Sequence, residues 1–186
     1  MLGKGWWGLG LEGSIPDSLM LLAERPDYVR DLLDVRTEAA IENLRTVYDA
    51  LGDSVDLVII DGQDFGTQRA EVFSPDMFAE LFAPRYAAQA GWIHEHTPWR
   101  VWQHTCGSVP NLIPHLIDAG IDAINPVQTS ADGMGAEDLV DLFGDEITFW
   151  GGGIDTQHTL PFGTPEDVHR EVRERIETFA PGGGFV

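Results

Sequence analysis

A single cysteine, Cys106, and a single lysine, Lys4, stand among 186 residues. One thiol cannot close an internal disulfide, so the expected setting is a reducing cytoplasm. No apolar run approaches the ~20 residues that a membrane-spanning helix needs. The opening MLGKGWWGLGLEGS has no basic stretch leading into an apolar one, so no secretory leader is expected. Positive charge is scarce, with 11 Lys and Arg against 31 Asp and Glu and a net charge of −20. A surface of that sign repels nucleic acid and anionic membranes, and neither is expected as a partner. Salt adaptation, in which high ionic strength screens the self-repulsion, and an arginine-preferring genome encoding an ordinary acidic enzyme both account for the excess. The glycine clusters GGGID and PGGGF offer backbone amides, but neither matches a P-loop or a G-x-G-x-x-G fingerprint, so nucleotide binding is not expected.

What is present is a folded domain, with 43% hydrophobic residues and 10% aromatics. Apolar positions at helical spacing predict a helix over residues 27–51, stopped by Gly52. VDLVII then reads as a buried parallel strand. Ser74 and Pro75 open a second helical stretch through residue 96, which Pro84 should kink or divide. The cycle repeats: RVWQHT a strand, VPNLIPHLIDAG a helix, IDAINP a strand, GAEDLVDLFG a helix, EITFWGG a strand. A long helix follows, with Thr164 as cap and Pro165 in its first turn, and GGGFV starts another strand. Alternation with short loops predicts a parallel α/β sheet, open or closed into a barrel. Five strands are fewer than the eight of a barrel. The expectation is therefore one domain over residues 1–186, truncated at both ends.

Chemistry in parallel α/β folds sits at the carboxyl ends of strands. Those ends carry Asp61, Gln63, Asp64 and Gln68, then His104 and Cys106, then Asn125 and Gln128, then Asp155 and Gln157. In extended chain, residues i and i+2 project to one side, so His104 and Cys106 can reach one ion, and both donors suit zinc. Two donors do not complete a zinc site, and on spacing alone a buried thiol beside a hydrogen-bonded histidine is the simpler reading. Asp61 reads equally as an acid/base or a turn-capping carboxylate; Asp64, in a glycine-flanked loop, is the stronger functional candidate. His94 and His96 end a helix and read as structural. His115 and His169 read as surface residues, and His158 is ambiguous. Trp6, Trp7, Trp102 and Trp150 read as packing.

Taken together, GQDFGTQ, SPDMFAELFAPRY, HTCGSVPNLIPHLIDAGIDAINPVQ and FWGGGIDTQHTLPFGTPEDVHREVRERIETFAPGGGFV resemble the uroporphyrinogen decarboxylase (URO-D) superfamily, in order and over nearly the whole chain. The likeness is greatest to its branch of corrinoid-dependent methyltransferases, such as the methylcobalamin:coenzyme M enzymes. The resemblance implies a (β/α)8 TIM barrel with its site at the C-terminal mouth, of which this chain holds the C-terminal four to five β/α units. It also implies zinc on His104 and Cys106, with a third ligand, a cysteine in that branch, expected beyond Val186. Zinc would lower the pKa of a bound thiol, and the thiolate would take a methyl group from a corrinoid, free as methylcobalamin or carried by a corrinoid protein. Asp64 is then the catalytic candidate, and Gln68, Asn125, Gln128 and Asp155 the substrate-binding ones. The alternative within the superfamily is metal-free decarboxylation of uroporphyrinogen in tetrapyrrole biosynthesis, whose aspartate and arginines belong to an N-terminal segment not found here. The His-x-Cys-Gly motif is atypical of those decarboxylases. A third expectation is an inactive fragment, because an open arc exposes a strand edge and should aggregate or form a homodimer.

Overall fold

The structure, a computed structural model, describes residues 15–186. Trp6, Trp7 and the rest of the Gly/Trp-rich opening lie outside the described residues. Two helices come first, α1 (Ile15–Glu24) and α2 (Pro26–Leu51). Gly52 ends α2 at φ +52, a backbone conformation that suits glycine. The alternating part follows: β1 (Leu57–Gly62), α3 (Pro75–Leu81), α4 (Ala83–His96), β2 (Arg100–His104), α5 (Ile113–Asp118), β3 (Ala123–Asn125), α6 (Ala136–Phe143), β4 (Thr148–Phe149), α7 (Thr159–Phe162) and α8 (Pro165–Phe179).

The strands are parallel and run β1-β2-β3-β4 in sequence order, each beside its neighbour in the chain. That order, with helices in the connections, makes the sheet an arc of a (β/α) barrel. A fifth strand begins at the far edge: Phe185 bridges Phe149 in parallel, and the Val186 N–H donates to the Phe149 carbonyl at 3.0 Å.

Strand alternation sorts side chains to two faces. Val101, Gln103, Ile124 and Phe149 are buried on the face that the helices cover. Trp102, Ala123, Thr148 and Trp150 lie on the concave inner face, where the rings of Trp102 and Trp150 pack 5.0 Å apart across the small Ala123. Trp102 and Trp150 pack as expected.

Local chemistry explains the element ends. The Ser74 hydroxyl accepts the Met77 N–H, capping α3, and Pro84 divides the helical stretch by opening α4 in its first turn. Thr164 and Asp167 cap α8 reciprocally. Four elements differ from expectation. The helix over residues 109–120 forms only from Ile113 to Asp118, because residues 110–112 make a turn and Pro114 fits the first helical turn. β4 is two residues long, because Gly151 and Gly152 adopt φ +108 and +76 and leave the ladder. α1 and α7 were not expected. No described helix is long and apolar enough to cross a membrane.

Candidate metal centre

The loop after β1 and the loop after β2 meet backbone to backbone. Gly66 donates its N–H to the Cys106 carbonyl at 3.1 Å, and Ser108 donates to the Thr67 carbonyl at 2.7 Å. The approach requires glycine on both sides. A Cβ on Gly66 would stand 2.6 Å from the Ser108 oxygen, and one on Gly107, at φ +85, would stand 2.5 Å from the Gly66 carbonyl carbon. The Thr105 hydroxyl accepts the Phe65 N–H at 3.0 Å, and the fully buried Phe65 ring packs among Phe73, Phe78, Phe82 and Tyr86. Phe65 thus anchors the residue next to Asp64 in the core, while Asp64 itself stays exposed.

Asp64, His104 and Cys106 converge there. One ligand-type atom from each lies within 4.8 Å of the others. The Cys106 Sγ is 3.6 Å from His104 Nε2, and the Asp64 Oδ1 is 3.5 Å from the same nitrogen. Asp64 Oδ1 also accepts the Cys106 N–H at 3.1 Å.

Asn125 decides which proton His104 carries. Its Nδ2 donates to the Trp150 carbonyl at 3.1 Å, which orients the amide and leaves Oδ1 facing His104 Nδ1 at 2.9 Å. An amide oxygen can only accept, so Nδ1 holds the hydrogen and donates it. In the neutral imidazole the lone pair is then on Nε2, aimed at Asp64 and Cys106. A nitrogen lone pair and a carboxylate oxygen 3.5 Å apart repel unless a proton or a metal ion stands between them. A second atom group that fixes the tautomer of a ligating histidine is the usual arrangement in metal sites.

Burial pushes the Cys106 thiol from its ordinary 9.0 up to about 11, and the negative charge of Asp64 and its hydrogen bond act in the same direction. Without a cation Cys106 is a thiol at neutral pH, with about a hundredfold less thiolate than an ordinary cysteine. The folded value lies above the unfolded one, so this group stabilises the fold fully below about pH 9 and loses that contribution as pH rises towards 11. Native metal-free protein is therefore expected to react with iodoacetamide at neutral pH about a hundredfold more slowly than the same chain unfolded in urea. Equal rates, read by mass spectrometry of the alkylated chain, would contradict the raised pKa of this half-buried thiol.

The remaining predicted residues divide. Gln128 accepts the Gly107 N–H at 3.2 Å and donates to Gln68 at 2.6 Å, and Gln68 donates to the Ser130 carbonyl at 2.7 Å. These two amides stitch the loops after β1, β2 and β3 together and hold Cys106–Gly107 from below. Asn125 belongs with His104, as described. Asp155 lies outside this set. Its carboxylate accepts the N–H groups of Gln157 and His158 and pairs with His158 Nδ1 at 2.9 Å, while its own N–H donates to the buried Glu171 of α8. Burial works against the charged form of Asp155, but those hydrogen bonds outweigh it and hold its pKa below the ordinary value. His94 pairs with Asp122 at 2.7 Å and His96 bonds the Trp92 carbonyl, both away from the cluster. Sequence reading missed Thr105, which faces opposite to its neighbours His104 and Cys106 by strand alternation. That alternation is the signal that could have found it.

The family model described as Uroporphyrinogen decarboxylase (URO-D) matches residues 12–186. No curated protein matches the chain. Among solved structures, a methyltransferase from Methanosarcina mazei superposes with a TM-score of 0.71 at 18% sequence identity, over 98% of this chain and 50% of that one. The chain thus spans about half the length of that structure, and the likeness is one of fold.

Proposed function

The chain belongs to the uroporphyrinogen decarboxylase (URO-D) family, and from that premise we propose that it is part of a zinc-dependent methyltransferase, moving a methyl group between a corrinoid and a thiol or related acceptor. The single observation that carries this reading is the His104 tautomer: Asn125 places the imidazole lone pair on Nε2, against a carboxylate oxygen and a sulfur. Nitrogen, sulfur and oxygen donors in one place fit zinc, and three protein donors leave a coordination position open for a substrate thiol. The methyltransferase with the similar fold supports the choice of reaction class.

His104 and Cys106 would hold the ion, with Asp64, rather than the cysteine that the resemblance implies beyond Val186, as the third donor. Zinc bound there supplies a positive charge that lowers the pKa of a substrate thiol and keeps its thiolate at neutral pH. Cys106 gives up its proton on ligation, because only the thiolate binds. Asn125 keeps the imidazole turned with Nε2 towards the mouth. Asp64 adds negative charge beside the cation, so the site's net charge stays low when a substrate thiolate joins it. Gln68 and Gln128 hold the loops that carry these groups. A corrinoid, free or carried by a partner protein, would supply the methyl group, the acceptor sulfur gaining the carbon while the cobalt kept the electron pair of the broken bond; Asp64, His104 and Cys106 are the residues at the mouth that would hold the acceptor's side of that exchange.

The test is metal content and transfer. Protein purified with zinc is expected to retain about one ion per chain, and to convert methylcobalamin and a small thiol to the thioether faster than zinc-free protein does. Protein that takes up no zinc, or that transfers methyl equally well without it, overturns the reading.

A further inference from the structure

The β1–β2 ladder ends at the pair Gly62 and His104. Beyond it the two chains take paths of unequal length to their next backbone contact, the Gly66 N–H on the Cys106 carbonyl. Gln63, Asp64 and Phe65 lie between those contacts on one chain, and Thr105 alone lies between them on the other. The first loop is therefore bulged, with Asp64 at the middle of the bulge. A bulge takes backbone groups out of the ladder, and here a side chain meets one of them. The N–H of the buried Phe65 donates to the Thr105 hydroxyl at 3.0 Å.

Thr105 is itself buried, and its own N–H donates to the Asn125 carbonyl of β3 at 2.8 Å. It fastens the bulge from behind to a backbone that β3 holds. In front, the Asp64 carboxylate faces His104 Nε2 and accepts the Cys106 N–H. His104, Thr105 and Cys106 thus grip Asp64, Phe65 and Gly66 residue by residue. The grips differ in kind. Those on Asp64 act on an exposed carboxylate that can turn to solvent. The Phe65 ring anchors the bulge in the core, but ring packing has little direction and leaves the preceding peptide able to turn. The Thr105 hydrogen bond is directional and buried, so losing it leaves an N–H without an acceptor and the backbone must move.

We propose that Thr105 is a positioning residue: its hydroxyl, through the Phe65 N–H, holds Asp64 against His104 and Cys106 and so sets the three-donor centre. The effect on metal rests on the reading of Asp64 as third donor. The hold on the loop does not, and it can be measured without metal.

Thr105→Val removes the hydroxyl at nearly constant shape, and Thr105→Ser keeps it. Amide hydrogen exchange in the metal-free chain reads the loop directly. In Thr105→Val the Phe65 and Cys106 N–H groups should both lose protection, while the Thr148 N–H on the Asp122 carbonyl keeps it. Thr105→Ser should protect all three as wild type does. Cys106 protection that survives in Thr105→Val overturns the proposal, and so does loss at all three amides, the mark of mere destabilisation. Binding of cobalt(II) alone reads the centre. Thr105→Val should bind roughly 10–100-fold more weakly than wild type, and Asp64→Asn should weaken binding in wild type but add nothing in Thr105→Val. Equal costs of Asp64→Asn in both backgrounds overturn the proposal. A wild-type chain that takes up no cobalt ends the zinc reading and leaves the exchange result to decide for Thr105. If Thr105→Val does not fold, exchange in wild type decides. Phe65 and Cys106 N–H groups that open together, with one urea dependence, support the proposal; a Cys106 N–H that exchanges while Phe65 stays protected overturns it.

Discussion

Cys106→Ser is expected to lower affinity for zinc, or for cobalt(II) as its coloured substitute, by at least about a hundredfold. A hydroxyl replaces a thiolate donor, and the loss of a ligand must exceed the roughly 10–100-fold that a residue behind the ligands contributes. The cobalt spectrum adds a qualitative readout, because the sulfur-to-cobalt charge-transfer band should vanish in Cys106→Ser and persist in Asp64→Asn. His104→Ala should weaken binding as much as Cys106→Ser. Asn125→Ala should fall in the roughly 10–100-fold range, because the imidazole remains but its tautomer and orientation are no longer held. Asn125→Asp should recover binding, since a carboxylate accepts from Nδ1 at least as well. Competition with a chromophoric chelator measures all of these. Cys106→Ser protein that binds cobalt as tightly as wild type, with the same spectrum, would remove the sulfur from the site.

The parts of this site that could be read from sequence are those governed by local geometry. His104 and Cys106 are two residues apart at the end of an apolar run, and an extended chain necessarily turns both to one side. Their 3.6 Å separation follows from that. The helix caps at Ser74 and Thr164 and the break at Pro84 are local in the same sense. Asp64 is different. Its glycine-flanked loop marked it out, but its placement on Cys106 depends on contact between segments about forty residues apart. Nor could the amide of Asn125 be assigned to His104 without knowing that the Trp150 carbonyl holds its other end. Asp61 stayed undecided between acid/base group and turn cap for a related reason. The extra residue in β1 that turns it under α4 leaves no mark on the apolar pattern of VDLVII. Glycines shortened β4 because three in succession can leave the ladder, yet the same residue type elsewhere simply follows a strand. In each case the missing information is a tertiary contact, which pattern reading does not contain.

Gly107→Ala should be the most damaging single-methyl change at the mouth. The residue sits at φ +85, where an L side chain costs about 1–2 kcal/mol. The added Cβ would also stand 2.5 to 2.6 Å from the backbone of Gly66 and Thr67. Neither neighbour is the end of a flexible side chain, so the two loops must separate, at a further ~1–3 kcal/mol for the strain. The sum, about 2–5 kcal/mol, is large against the stability of a domain of this size. It should appear as a lowered urea midpoint with little change in slope. Separation of the loops also breaks the Gly66 to Cys106 and Ser108 to Thr67 hydrogen bonds that align Asp64 with Cys106. Metal affinity should therefore fall in Gly107→Ala even below denaturing conditions, although no donor atom has changed. Gly91→Ala is the control, since a Cβ there meets nothing within 4 Å and α4 gains a better helix former. If Gly107→Ala matches that control in both stability and cobalt binding, the glycine-to-glycine contact does not set the geometry of the centre.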